Sequence, residues 1–216
     1  MFSMLDRIRR ALYRMRHRNS PFAGSAEYWE RRYRSGGNSG DGSYGKLAEF
    51  KAEIINTFVA ENDVKNVVEL GCGDGNQLGL MRFPHYVGYD ISKAAVEICR
   101  KMYLSDSSKK FIHYLPDQFD GRAQAQLSLS LDIIFHLVED NVFEEYMHHL
   151  FQLASDWVII YSSNSEDEQF DVEHCRNRKF VDWVEANISG WELFNKIENR
   201  FPERSISDFY FFKKAA

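Results

Sequence analysis

Cysteine is scarce: three residues in 216, Cys72, Cys99 and Cys175, an odd number with no paired spacing. That argues against a disulfide scaffold and a zinc motif, so no metal is expected, and it favours a reducing compartment, the cytosol by default. Long apolar runs are also missing; none approaches the roughly 18 residues that cross a bilayer. Residues 1–18 have neither the continuous apolar centre nor the small-residue cleavage site of a secretory signal. Internal repeats are absent. Beyond the first 18 residues positive charge is in deficit. Residues 1–18 hold six arginines against Asp6 alone, a net of +5, so the remainder carries −10 within a whole-chain charge of −5. An acidic body excludes nonspecific nucleic-acid binding by the whole surface, and no nucleic-acid partner is expected.

What is present suits a soluble globular chain with one sizeable core: 44% hydrophobic and 27% charged residues. Three segments divide it. In residues 1–20, Met1, Met4, Leu5, Ile8, Leu12 and Met15 recur at helical spacing between arginines, an amphipathic basic helix. Such a helix docks on a body, contacts an anionic membrane surface, or serves as a transit segment, and the pattern leaves all three open. Residues 21–62 comprise two helices, Ala26 to Tyr33 and Leu47 to Glu61, on either side of a glycine- and serine-rich loop from Ser35 to Gly45. That composition serves a plain linker or a mobile lid, with Tyr44 at its end as a ligand contact.

Residues 63–216 alternate strand and helix. Strands are expected at Val67–Leu70, Tyr86–Asp90, Lys110–Leu115, Leu127–Phe135, Trp157–Tyr161, Glu192–Ile197 and Ser207–Phe212. Helices are expected at Ala94–Met102 and Phe180–Asn187. This is an α/β class chain: a doubly wound, mostly parallel seven-stranded sheet ending in an antiparallel hairpin.

The chemistry concentrates at Val67-Val68-Glu69-Leu70-Gly71-Cys72-Gly73-Asp74-Gly75-Asn76-Gln77. A strand ends, the chain turns through three glycines, and a helix is expected to begin. Glycines let the loop take left-handed angles and let a ligand approach the main chain. Glu69 is placed to accept hydrogen bonds from the loop and hold its shape. Asp90 closes the second strand, where a carboxylate accepts both hydroxyls of an adenosine ribose. Dinucleotide folds space their glycines as Gly-x-Gly-x-x-Gly, and here the third comes one position early. Asp74 also sets a negative charge where a pyrophosphate would lie.

Glu-x-Gly-x-Gly-x-Gly, followed by an acid at the end of the next strand, resembles the first two motifs of class I S-adenosylmethionine-dependent methyltransferases. Leu129 to Leu137 resembles their fourth-strand segment, which lines the methyl-donor pocket, and Glu27-Tyr28-Trp29-Glu30-Arg31-Arg32-Tyr33 their aromatic N-terminal helix. The resemblance spans roughly residues 26–213. More narrowly, it extends to small bacterial methyltransferases associated with surface-polysaccharide genes. It implies a Rossmann-like methyltransferase fold, S-adenosylmethionine as cofactor, and contacts to it from Tyr44, Glu69, Gly71, Cys72, Gly73, Asp74, Gly75, Asn76, Asp90, Ile91 and Leu131. It also implies that Asp117 faces the adenine amino group, the alternative being a solvated turn residue of Pro116-Asp117. Gln126 departs from the aspartate that usually opens the fourth strand.

For catalysis the candidates are Asp132 and His136, at the carboxyl end of the fourth strand, and His174, each able to take a proton from an oxygen or nitrogen nucleophile. Each also reads as a satisfied polar group. Arg176 and Arg178 would attract an anionic small-molecule or glycan acceptor, or else pair with Glu166 and Asp167 in a solvated loop. His148 and His149 read as structural residues of a helix, and Phe209 to Phe212 as sheet core. The rival functions are a nicotinamide-dependent oxidoreductase and a non-catalytic cofactor-binding partner. The pattern does not set the oligomeric state.

Overall fold

Helices α1 (Ser25–Arg34) and α2 (Gly45–Glu61) precede the first strand, joined by a loop with a 3-10 turn at Asp41–Ser43. The computed structural model describes residues 22–121, 124–166 and 172–215, so the helix expected over residues 1–20 lies outside the described residues. There follow β1 (Asn66–Leu70), β2 (His85–Asp90), α3 (Lys93–Met102), β3 (Lys109–His113), β4 (Ala125–Leu131), α4 (Asp140–Gln152), β5 (Ala154–Ser162), α5 (Phe180–Asn187), β6 (Trp191–Ile197) and β7 (Asp208–Lys214).

The strands form one sheet in the order β3-β2-β1-β4-β5-β7-β6. Strands β1 to β5 are parallel, and β7 runs antiparallel to both β5 and β6. Chain order reverses between β1 and β4, and in open α/β sheets a crevice opens at the carboxyl ends there. Both sheet faces are covered, so the central strands are buried on both sides: Val158, Ile159, Ile160 and Tyr161 are fully buried. The pleat sends alternate side chains to opposite faces. Phe209 and Phe211 pack with Phe50, Ile55 and Val59 of α2, while Tyr210 and Phe212 join Phe143, Met147 and Leu150 of α4. In α4 the buried positions Phe143, Tyr146, Met147, Leu150 and Phe151 follow helical spacing and make one apolar stripe. Helix α3 starts at Ser92, whose hydroxyl accepts the Ala95 amide at 3.1 Å, a side-chain N-cap.

The structure departs from the sequence expectation at three ends. The fourth strand stops at Leu131, because Asp132 takes the left-handed φ of 58° and a 3-10 turn, Ile134–His136, follows. The third ends at His113, and Pro116 then starts a 3-10 turn. After the glycine loop only a 3-10 turn forms, Gln77–Leu80, since Gly79 within it and Pro84 just before β2 oppose a longer helix. Among the described residues no helix is long and apolar enough to cross a membrane.

Gly88 of β2 lies opposite Glu69 in the parallel register. A Cβ there would stand 2.9 Å from Cys72 Cβ and from the Tyr86 ring. Gly88→Ala should therefore overpack this contact and cost about 1–3 kcal/mol, read from the urea midpoint. An unchanged midpoint would show that the ring moves aside freely.

Candidate functional site

The glycine loop leaves β1 with Gly71 at φ 98° and Gly73 at φ 58°, angles that side chains disfavour. Its main chain is tied to β2. The Gly71 and Cys72 amides donate to the Tyr89 carbonyl at 2.7 and 2.9 Å. Gly73 N donates to Asp90 Oδ2 and Ser92 N to Asp90 Oδ1, both at 2.8 Å. The acid that shapes the loop is thus Asp90, where the sequence had pointed to Glu69. Glu69 is buried beneath it and accepts the Tyr86 hydroxyl. Burial pushes the Glu69 carboxyl up to about 7, against the Tyr86 hydroxyl and Lys51, which favour the anion. Burial likewise pushes Asp90 up to about 6, against the amides of Ser92 and Gly73. Each Asp90 oxygen retains a second lone-pair direction, so two hydroxyls can still be accepted.

The glycine- and serine-rich loop is clasped onto this turn. Asp74 Oδ2 accepts the Ser39 amide at 2.9 Å and the Tyr44 hydroxyl at 2.7 Å, and Ser39 Oγ accepts Asp74 N at 3.0 Å. Asn76 donates to the Ser43 carbonyl and Gln77 to that of Ala48. Helix α1 closes the other side. The Glu30 carboxylate accepts Ser92 Oγ at 2.7 Å and Ala94 N at 3.1 Å, an acid on the N-terminus of α3. Ser25 N and Oγ reach the Glu139 carboxylate at 3.0 and 2.6 Å.

These elements enclose a cavity of about 370 Å³ at the carboxyl ends of β1 and β4. Its acids are Glu27, Glu69, Asp74, Asp90, Asp132 and Glu139, and its aromatic walls Trp29, Tyr33, Tyr114 and Tyr146. No lysine or arginine lines it among the described residues. That set of acceptors fits a ligand with a sulfonium, an ammonium and hydroxyls, and opposes a pyrophosphate.

Of the expected cofactor contacts, Glu69, Gly71, Cys72, Gly73, Asp74, Asp90, Ile91 and Leu131 line the cavity. Tyr44 and Asn76 stand behind it as clasps. Gly75 faces Cys99 and Tyr103, and Asp117 is exposed outside the wall that its neighbour Pro116 joins. Asp132 lines the cavity with its carboxylate engaged. Lys51 Nζ, fully buried in α2, lies 2.6 Å from Asp132 Oδ2, and Ser207 Oγ donates to Oδ1 at 3.1 Å. Lys51 went unnoticed in the sequence because a lysine within an apolar helical stripe looks like a misplaced surface residue.

His136 lines the cavity beside Trp29, whose ring meets it edge-on at 4.8 Å. Its Nδ1 is 3.1 Å from the His174 carbonyl, and burial lowers the ring to about 4. His174 stands behind it, stacked at 4.3 Å on Tyr28. Arg176 and Arg178 do not reach the cavity. Both pair with Asp140, at 2.9 and 2.6 Å, and Arg178 also donates to the Leu137 and Val138 carbonyls. The partner is therefore Asp140 at the start of α4, where an acid-rich loop had been the alternative expected; Asp167 lies outside the described residues.

No protein-family model matches the chain, and no curated protein is similar to it in sequence. Solved structures are. The N-methyltransferase NodS from Bradyrhizobium japonicum WM9, in complex with S-adenosylhomocysteine, superposes with a TM-score of 0.70 at 10% identity, over 89% of this chain and 100% of that one. The methyltransferase domain of bacterial CtHen1-C gives 0.65 at 19%, over 79% and 100%. Magnesium protoporphyrin IX methyltransferase from Synechocystis PCC 6803, with the same ligand, gives 0.62 at 15%, over 90% and 97%. The fold is the Rossmann-like fold of class I methyltransferases.

Two outcomes follow from the buried charges. Lys51→Met leaves Asp132 without its cation and should cost about 3–5 kcal/mol, while Lys51→Met with Asp132→Asn should recover most of it. Equal destabilisation of both variants in urea would contradict this. Glu69 ionises near pH 4.3 when unfolded and at about 7 when folded. Its protonated form therefore lends stability that is complete below about pH 4 and lost as pH rises through about 7. Glu69→Gln should match the parent near pH 4.5 and exceed it at pH 8; a pH-independent difference would refute the shift.

Proposed function

We propose that the chain is an S-adenosylmethionine-dependent methyltransferase acting on an oxygen or nitrogen nucleophile of a small-molecule or glycan-type acceptor. The observation that carries this is the floor of the cavity: Gly71 to Asp74 and Asp90 at the β1/β4 switch point, rimmed by acids and, among the described residues, without a lining cation. Asp90 is placed to take the ribose hydroxyls, Glu69 and Asp74 to favour the positive end, and Leu131, Ile91 and Pro116 to supply apolar contact. When bound, S-adenosylmethionine supplies a methyl group already activated by its sulfonium. The chain then has to align the acceptor and exclude water. Helix α1 and the clasped loop supply that enclosure. The cavity runs on from the glycine loop to Trp29, Asp132, His136 and Glu139, where an acceptor would stand. A proton leaving it would pass to Asp132 or His136, both in the cavity wall. The same acid-lined floor disfavours a nicotinamide dinucleotide, whose pyrophosphate would meet Asp74.

Calorimetric titration tests the reading. S-adenosylhomocysteine should bind and NAD⁺ should not. Asp90→Asn, which removes a charged acceptor, should weaken the former about ten- to a hundredfold. Binding of NAD⁺, or an unaltered affinity in Asp90→Asn, would overturn it.

A further inference from the structure

Outside the cofactor floor, three ligating side chains converge beside the cavity, one of them, His136, in its wall. A ring nitrogen from each of His136 and His174 and the sulfur of Cys175 lie within 4.8 Å of one another. Cys175 Sγ is 3.3 Å from His136 Nδ1. We infer that His136, His174 and Cys175 form a binding site for a divalent cation that prefers imidazole and thiolate, with Zn²⁺ as the model ion. The sequence concealed it, since His136 is separated from the other two by α4 and β5 and the cysteines show no paired spacing.

The donors are preorganised. The loop bearing His174 and Cys175 is pinned to the turn bearing His136 by Arg176 N donating to the Phe135 carbonyl at 2.7 Å. The Arg178 guanidinium on the Leu137 and Val138 carbonyls pins it again. Tyr28 fixes the His174 ring plane. His136 Nδ1, the nitrogen that Cys175 Sγ faces, also lies 3.1 Å from the His174 carbonyl, so the turn and the loop meet at that atom. Bonds of about 2.0 Å to nitrogen and 2.3 Å to sulfur put tetrahedral ligands about 3.5 Å apart. The trio must therefore contract by up to about 1.3 Å, within the reach of side-chain rotation at Cys175, which is only half-buried. Three protein ligands leave a fourth position for water or substrate, the pattern of an open site. The binding site does not rest on the methyl-transfer reading.

The test is titration of the full chain with Zn²⁺ by calorimetry in two buffers, and with Co²⁺ by absorption. One Zn²⁺ per chain should bind with release of the Cys175 thiol proton. Co²⁺ should give a thiolate-to-metal charge-transfer band. Cys175→Ala and His174→Ala should each weaken Zn²⁺ at least about a hundredfold, with Cys175→Ala losing the band while its circular dichroism and S-adenosylhomocysteine affinity stay unchanged. Absence of Zn²⁺ binding by the parent, or equal affinity in Cys175→Ala, would overturn the site. Binding of S-adenosylhomocysteine by the same preparation reports separately on the cofactor reading.

Discussion

One buried carboxylate holds the working end of this molecule together. Asp90 closes β2, accepts the Gly73 amide from the turn after β1, and accepts the Ser92 amide at the start of α3. Two strands and a helix are thereby fixed around a single side chain. A buried anion is costly, and two amide hydrogen bonds do not cancel the cost, so burial still raises its ionisation to about 6. The fold tolerates this strain at the place where a ligand with hydroxyl donors and positive charge would relieve it. Glu69 repeats the pattern one layer down, raised to about 7.

The enclosure follows from the same turn. Asp74 and Asn76, both within the glycine motif, hold Ser39, Ser43 and Tyr44 of the glycine- and serine-rich loop. The residues that shape the floor therefore also shape the roof, and α1 is locked to α3 and α4 through Glu30 and Ser25. Lys51 joins α2 to the end of β4, where Asp132 turns the chain through a left-handed angle and ends the strand.

Much of this was legible in the sequence. Alternating strand and helix patterns and a terminal strand pair yielded the seven-stranded sheet, and the glycine spacing with Asp90 located its cavity. The illegible parts are those set by tertiary partners. Lys51 pairs across 81 positions with Asp132, and no local pattern announces such a pair. Arg176 and Arg178 looked like an anion trap because their partner Asp140 lies on another element. Asp117 was carried by likeness alone, and the 3-10 turn at Pro116 leaves it outside the wall. The run from Leu127 to Phe135 was read as one strand because its apolar residues continue past Leu131, whereas backbone geometry at Asp132 decides the end.

The most direct measurement is a crystal structure of the chain grown with S-adenosylhomocysteine. The ribose hydroxyls should lie on the Asp90 carboxylate, the nucleoside between Ile91 and Leu131, and the amino-acid end over Gly71 to Asp74. Density for the nucleoside elsewhere on the surface, with the cavity filled only by solvent, would contradict this.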